Sequence, residues 1–129
     1  SASNDSGDIM GEVRQAMLLQ RVAYGGDALS ARNALEIATL GGARVMGRND
    51  LGSLEVGKRA DFAVFPANNI ALSGSWDPIA GLILCSPIRA IHTIVDGKFI
   101  VRDGLLTNTD LRSLLQEHAD LTRILIDDS

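Results

Sequence analysis

The chain has 129 residues, 46% of them hydrophobic and 22% charged, which is the length of one domain and too apolar for a disordered segment. Sixteen acids against twelve bases leave a formal charge of -4, so no basic surplus exists to hold a phosphate backbone, and nucleic acid is not an expected partner. No apolar run approaches the ~18 residues of a membrane span; the longest, Ile79 to Cys85, is broken by Gly81, and no membrane partner is expected.

With three Phe, one Trp and one Tyr, the core is expected to be aliphatic. The single Cys85 cannot close an internal disulfide, which fits a reducing compartment and a cytoplasmic location. The opening Ser-Ala-Ser-Asn-Asp-Ser has neither Met nor a signal pattern. It reads as a cut from something longer.

In chain order, residues 1–7 are rich in Ser, Asn, Asp and Gly and read as a loop. A helix is predicted from Asp8 to about Val22, on the recurrence of Ile9, Met10, Val13, Ala16, Met17 and Leu19. Asp5, Ser6 or Asp8 is its expected cap, and Gly25-Gly26 its end. Ser30 is a good N-cap for a second helix, Ala31 to about Leu40, with Ala34, Leu35 and Ala38 on one face. Gly41-Gly42 interrupts that pattern. Ala43 to Met46 adds a turn, closed by Gly47.

Leu51 to Arg59 is turn-rich, and Asp61 to Phe65 is a short strand stopped by Pro66. Residues 67–77 read as loop. Asp77-Pro78 combines a cap with Pro at the first helical position, opening a helix to about Leu84. Ile91–Val95 and Lys98–Val101 flank Asp96-Gly97, which favours a type I′ turn with positive φ at both residues. Asp103-Gly104 makes a second turn. Thr109 or Asp110 caps a last helix reaching about Ile126. Its stripe, Leu111, Leu114, Leu115, His118, Leu121 and Leu125, is expected to be buried. No internal repeat is evident.

The chain offers little chemistry of its own. His92 and His118 are 26 residues apart, with no His-x-His and no His-Glu-x-x-His, so both read as structural. Cys85 lacks a catalytic companion and reads as a small apolar residue. The Gly-Gly pairs precede no Gly-Lys-Ser/Thr and do not form a phosphate cradle. Asp5 and Asp8, three apart, suit helix capping and the helix dipole. From the residues alone this is an α+β fragment without a complete catalytic constellation.

Three motifs then stand in order. Ala34-Leu-Glu-Ile-Ala-Thr-Leu-Gly-Gly-Ala43 is followed by Gly52-Ser-Leu-Glu-Val-Gly-Lys-Arg-Ala-Asp-Phe-Ala-Val-Phe65 and then Val95-Asp-Gly-Lys98. Together they resemble the C-terminal signature of the amidohydrolase superfamily, over about residues 1–108. The opening resembles the loop after barrel strand eight in the branch of 8-oxoguanine deaminases, hydroxydechloroatrazine ethylaminohydrolase and related chlorohydrolases. Residues Asp110 to Ile126 also resemble that branch's C-terminus.

The resemblance implies an intact (β/α)8 barrel with a small β-sandwich built from both chain ends. It implies hydrolytic deamination or dehalogenation of a nitrogen heterocycle such as an oxidised purine, aminotriazine or cytosine. It also implies a divalent metal, usually zinc, that makes hydroxide at neutral pH. The family's histidine ligands have no match here, and its Asp ligand would fall just before Ser1. The expected assignment is therefore the last barrel helices (1–48), the C-terminal strands of the composite sandwich (49–108) and a C-terminal helix (109–129). Such a piece is expected to bind no metal and to be inactive alone.

Ser1, Ser3 and Asn4 would belong to a loop at the barrel's active face and are the candidate substrate-adjacent residues. The expected partners are a small heterocyclic substrate in the whole enzyme, and a second copy or an N-terminal portion of the same enzyme. The last expectation rests on Met10, Val13, Met17, Leu35 and the edges around Phe62 to Phe65 being left uncovered. The rival is a non-catalytic binding or assembly module.

Overall fold

A computed structural model describes residues 7–85 and 88–127. Helix α1 (Ile9–Tyr24) starts where expected, with Asp8 accepting a hydrogen bond from the Met10 N–H, and ends at Gly25, φ 102°. Ser30 caps α2 (Ala31–Glu36) by accepting from the Asn33 N–H.

The next stretch departs from the sequence reading. Gly41-Gly42 does not interrupt the helix: α2 runs through a π-helical turn (Ile37–Gly41) into α3 (Gly42–Val45). Both glycines keep helical dihedrals, and the Gly42 N–H reaches back to the Ile37 carbonyl, the wider spacing of a π turn. Glycine permits a break but does not impose one. The stop comes at Gly47, φ 66°. There Arg48 N bonds Ala43 O and Gly47 N bonds Arg44 O, the paired bonds of a Schellman end.

After β1 (Phe62–Val64), Asp77 caps the short helix α4 (Pro78–Leu84), accepting from the N–H groups of Ile79 and Ala80. Strands β2 (His92–Val95), β3 (Lys98–Arg102) and β4 (Leu105–Leu106) complete an antiparallel sheet in the order β1-β2-β3-β4. Asp96 (φ 50°) and Gly97 (φ 75°) form the expected turn, which sets Ile94 against Phe99. Asp103 (φ 52°) and Gly104 (φ 78°) repeat it, and this second turn creates β4, which two residues of strand were too short to reveal in sequence.

The core lies between helices. Val13 and Met17 of α1, Ala31 and Ala34 of α2 and Ile83 of α4 are buried together, with Met17 fully enclosed. Met10 and Leu35 pack on this cluster and are partly covered. This corrects the expectation that the α1 face stands open: α2 and α4 close over it. The small residues on α2 allow that close approach. On the sheet, Ile94 is buried and Phe62 stays 37% exposed.

The largest correction concerns α5 (Leu111–Asp127). It is capped by Asp110, which accepts from Arg112 N and Ser113 N. Its leucines are not buried: Leu115 is 59% and Leu125 74% exposed, and every residue but the half-buried Ala119 is exposed. His118 is exposed with them. Amphipathic spacing sets which face is apolar; it does not supply the surface that covers it.

Candidate functional site

The three motifs converge. Gly52 has φ +88°, and a Cβ there would lie 3.0 Å from both Leu40 Cα and Thr39 O. The second motif is thus pressed directly on the π turn of the first, at a distance only glycine tolerates. From the middle of the same motif, Arg59 Nη1 donates to Asp96 Oδ1 at 2.8 Å. The Asp61 carboxylate accepts from Asp96 N at 2.6 Å, and Gly97 N donates to Ala60 O at 3.1 Å. These bonds tie the second motif to the turn of the third.

Asp50 is the hinge of this cluster, and nothing in its sequence context singled it out. Arg48 Nε donates to its Oδ1 at 2.8 Å and Arg48 Nη2 to its Oδ2. Arg59 Nε stands 3.4 Å from the same Oδ2. The Arg48 hydrogen bond pulls the Asp50 carboxyl down to about 2, and Asp50 in turn raises Arg48. Beside them Ser53 Oγ donates to Glu55 Oε1 at 2.6 Å, and Lys58 Nζ lies 3.1 Å from that oxygen. Both interactions lower the Glu55 carboxyl, Ser53 most.

Chemically this is a clamp. An open cleft of ≈ 580 Å3 runs between the π turn and the second motif, lined among others by Ile37, Thr39, Ala43, Leu51 and Asp61. Its walls are mostly apolar, and the Asp61 carboxylate is already engaged by the Asp96 N–H. No general acid paired with a general base faces it among the described residues.

The histidines lie on separate elements. His92 of β2 accepts at Nδ1 from Asp103 N (3.2 Å) and meets Phe99 edge-on at 5.6 Å, with the Arg102 guanidinium 5.0 Å from that ring's centre. Its role is packing. His118 sits on exposed α5. Cys85 is half-buried at the end of α4, and Asp8 is spent as a cap. Ser1, Ser3 and Asn4, the candidate substrate-adjacent residues, and Asp5 lie outside the described residues. Among the described residues no group of three or more His, Cys, Asp or Glu is placed to hold a metal ion, so their donor set does not fit a resident zinc.

The amidohydrolase family model matches residues 1–119. The chain belongs to the amidohydrolase family. An 8-oxoguanine deaminase of Pseudomonas aeruginosa is 42% identical over 126 residues, 98% of this chain and 28% of that protein. A 5-methylthioadenosine/S-adenosylhomocysteine deaminase of Desulforudis audaxviator is 38% identical over 98% of this chain and 30% of its own length. In structure, the chain superposes on atrazine chlorohydrolase TrzN from Arthrobacter aurescens TC1, complexed with zinc. The TM-score is 0.86 at 37% identity, covering 94% of this chain and 28% of that one. A zinc-bound adenosine deaminase from Xanthomonas campestris gives 0.86 at 30% identity, over 95% of this chain and 28% of its own.

The chain therefore spans less than a third of the amidohydrolases it matches. Among the described residues, no helix is long and apolar enough to cross a membrane. What sequence reasoning missed is the Arg48–Asp50–Arg59–Asp96 cluster. The signal available for it was Arg59 and Asp96 each lying inside a family motif.

Proposed function

We propose that this chain is the C-terminal part of a metal-dependent amidohydrolase that deaminates an oxidised purine. The observation that carries the reading is the 42% identity to an 8-oxoguanine deaminase over 98% of the chain. In the whole enzyme, the oxygen of water adds to the ring carbon bearing the amino group, the C–N bond breaks, and nitrogen leaves as ammonia. Aminotriazines and cytosine belong to the same substrate class: an electron-poor ring carbon with an amino or halide leaving group.

Residues 1–48 are then the last barrel helices, 49–108 the closing strands of the sandwich and 109–129 a terminal helix. The zinc and its ligands belong to other parts of the enzyme. Within this chain, Ser1, Ser3 and Asn4 contribute to the substrate-facing loop. The clamp around Asp50 and Asp96 fixes the sandwich strands against the helix that follows the barrel.

A second reading, a non-catalytic binding or assembly module, draws on one specific observation. Met17 and its neighbours close a core without further chain. A chimera separates the two. The corresponding segment of the Pseudomonas aeruginosa 8-oxoguanine deaminase is replaced by these 129 residues, and ammonia release from 8-oxoguanine is followed. The expected result is an active chimera and an inactive isolated chain. A folded chimera without activity on oxidised purines, aminotriazines or cytosine would favour the module.

A further inference from the structure

We propose that His92 and Asp103, beyond the packing of His92 on Phe99, form a pH-sensitive clasp on the turn between β3 and β4: neutral His92 holds the Asp103 N–H, and protonated His92 releases it. The two Asp-Gly turns of the sheet differ in what receives their N–H groups. In the first, Asp96 N donates to the Asp61 carboxylate and Gly97 N to the Ala60 carbonyl. In the second, Gly104 N donates to the Ile91 carbonyl at 2.8 Å, but Asp103 N donates to a ring nitrogen, His92 Nδ1, at 3.2 Å.

An oxygen acceptor keeps its lone pairs throughout the range around neutrality. An imidazole nitrogen does not. Accepting at Nδ1 requires a neutral ring with its proton on Nε2. A second proton goes to Nδ1 itself, so two donors then face one another. The bond is lost with the change of charge rather than weakened by it.

The groups around the ring come from each element that packs on it. Strand β1 sets Val64 opposite His92 and carries no ionisable side chain. Strand β3 supplies Phe99, edge-on to the ring, and the Arg102 guanidinium, which stands over Phe99. Lys98, at the far end of β3, pairs with Val95. The turn supplies Asp103, whose Oδ1 is 3.9 Å from His92 Nε2. Asp103 thus offers a donor to the neutral ring and a carboxylate to the charged one. Protonation exchanges a backbone contact for a side-chain contact within the same pair of residues.

The exchange is confined to this corner. Beyond it, Thr107 N donates to Ile100 O at 3.0 Å and Thr107 Oγ1 to Phe99 O at 2.7 Å. Both acceptors are carbonyls, as is the acceptor of Gly104 N. Strand β4 therefore stays paired while the Asp103 peptide is set free.

The test follows the isotope-labelled full chain by NMR from about pH 8 to about pH 5, the range in which an imidazole ordinarily changes charge. At the upper end, His92 is expected to carry its proton on Nε2. As the ring takes up its second proton, the Asp103 amide is expected to shift with the same midpoint. Its protection against solvent exchange should fall roughly tenfold, the loss of one hydrogen bond. The amides of Gly97 and Gly104 should keep theirs. His92→Asn sets an amide oxygen near the place of Nδ1 and cannot titrate; it is expected to hold Asp103 protected at both ends of the range. His92→Phe keeps a ring but no acceptor, and is expected to leave Asp103 unprotected at both ends. A neutral His92 protonated on Nδ1, an Asp103 amide indifferent to the His92 titration, or an Asp103 amide still protected in His92→Phe would each overturn the proposal. So would a pH response that persists in His92→Asn, or a parallel loss of protection at Gly97, which would mean general unfolding.

Discussion

Arg59 and Asp96, 37 residues apart in sequence, meet at 2.8 Å. The bond joins the segment before β1 in one family motif to the hairpin turn of the next. Both side chains are about half exposed or more, so the pair should act as a register pin and contribute little free energy. A double-mutant cycle of Arg59→Ala and Asp96→Ala, read by urea unfolding, is expected to give a coupling of about 0.2–1 kcal/mol. A coupling several times larger would mean that the Asp61 contact to Asp96 N collapses with it.

Gly97 has φ 75° with open space where a Cβ would stand. Gly97→Val should therefore destabilise through backbone strain alone, by roughly 1–2 kcal/mol. Unchanged stability in urea would show that the turn relaxes to another type at no cost.

Gly52 and Gly57 both have φ near +90°, yet only Gly52 faces backbone, with Leu40 Cα and Thr39 O at 3.0 Å from a Cβ. Gly57→Ala should cost strain alone. Gly52→Ala should cost strain plus overpacking, an additional ~1–3 kcal/mol. Equal melting temperatures for the two variants would show that the π turn yields freely.

Asp50 carries a pH dependence. Its folded carboxyl sits at about 2, below its ordinary 3.8. The unfolded chain therefore binds its proton first as pH falls, and the stabilisation is complete above pH 4 and lost between about 4 and 2. Asp50→Asn should flatten the stability curve in that window relative to wild type. Parallel curves would show that the Arg48 contact does not persist in solution.

Met17 is fully enclosed, whereas Leu115 is 59% exposed. Met17→Ala should cost about 2–5 kcal/mol. Leu115→Ala should stay within about 0.5 kcal/mol. A large effect at Leu115 would place α5 against the fold.

Local chemistry was legible in the residues themselves. Asp8, Ser30, Asp77 and Asp110 are caps because a short polar side chain there accepts from N–H groups that the helix leaves unpaired. Asp96-Gly97 is a turn because both positions need positive φ. The order and spacing of three motifs carried the family. Three things waited for the tertiary structure. Gly41-Gly42 continues as helix, because glycine allows several conformations and its surroundings choose one. Asp50, Arg59 and Asp96 form one cluster, because pairing across long separations depends on how the sheet and the helix end are folded together. Leu111 to Leu125 stay exposed while Val13 and Met17 are buried, although both stripes have helical spacing. Periodicity says which face is apolar; burial depends on whether another surface arrives, as α2 and α4 do for α1 and no element does for α5 among the described residues.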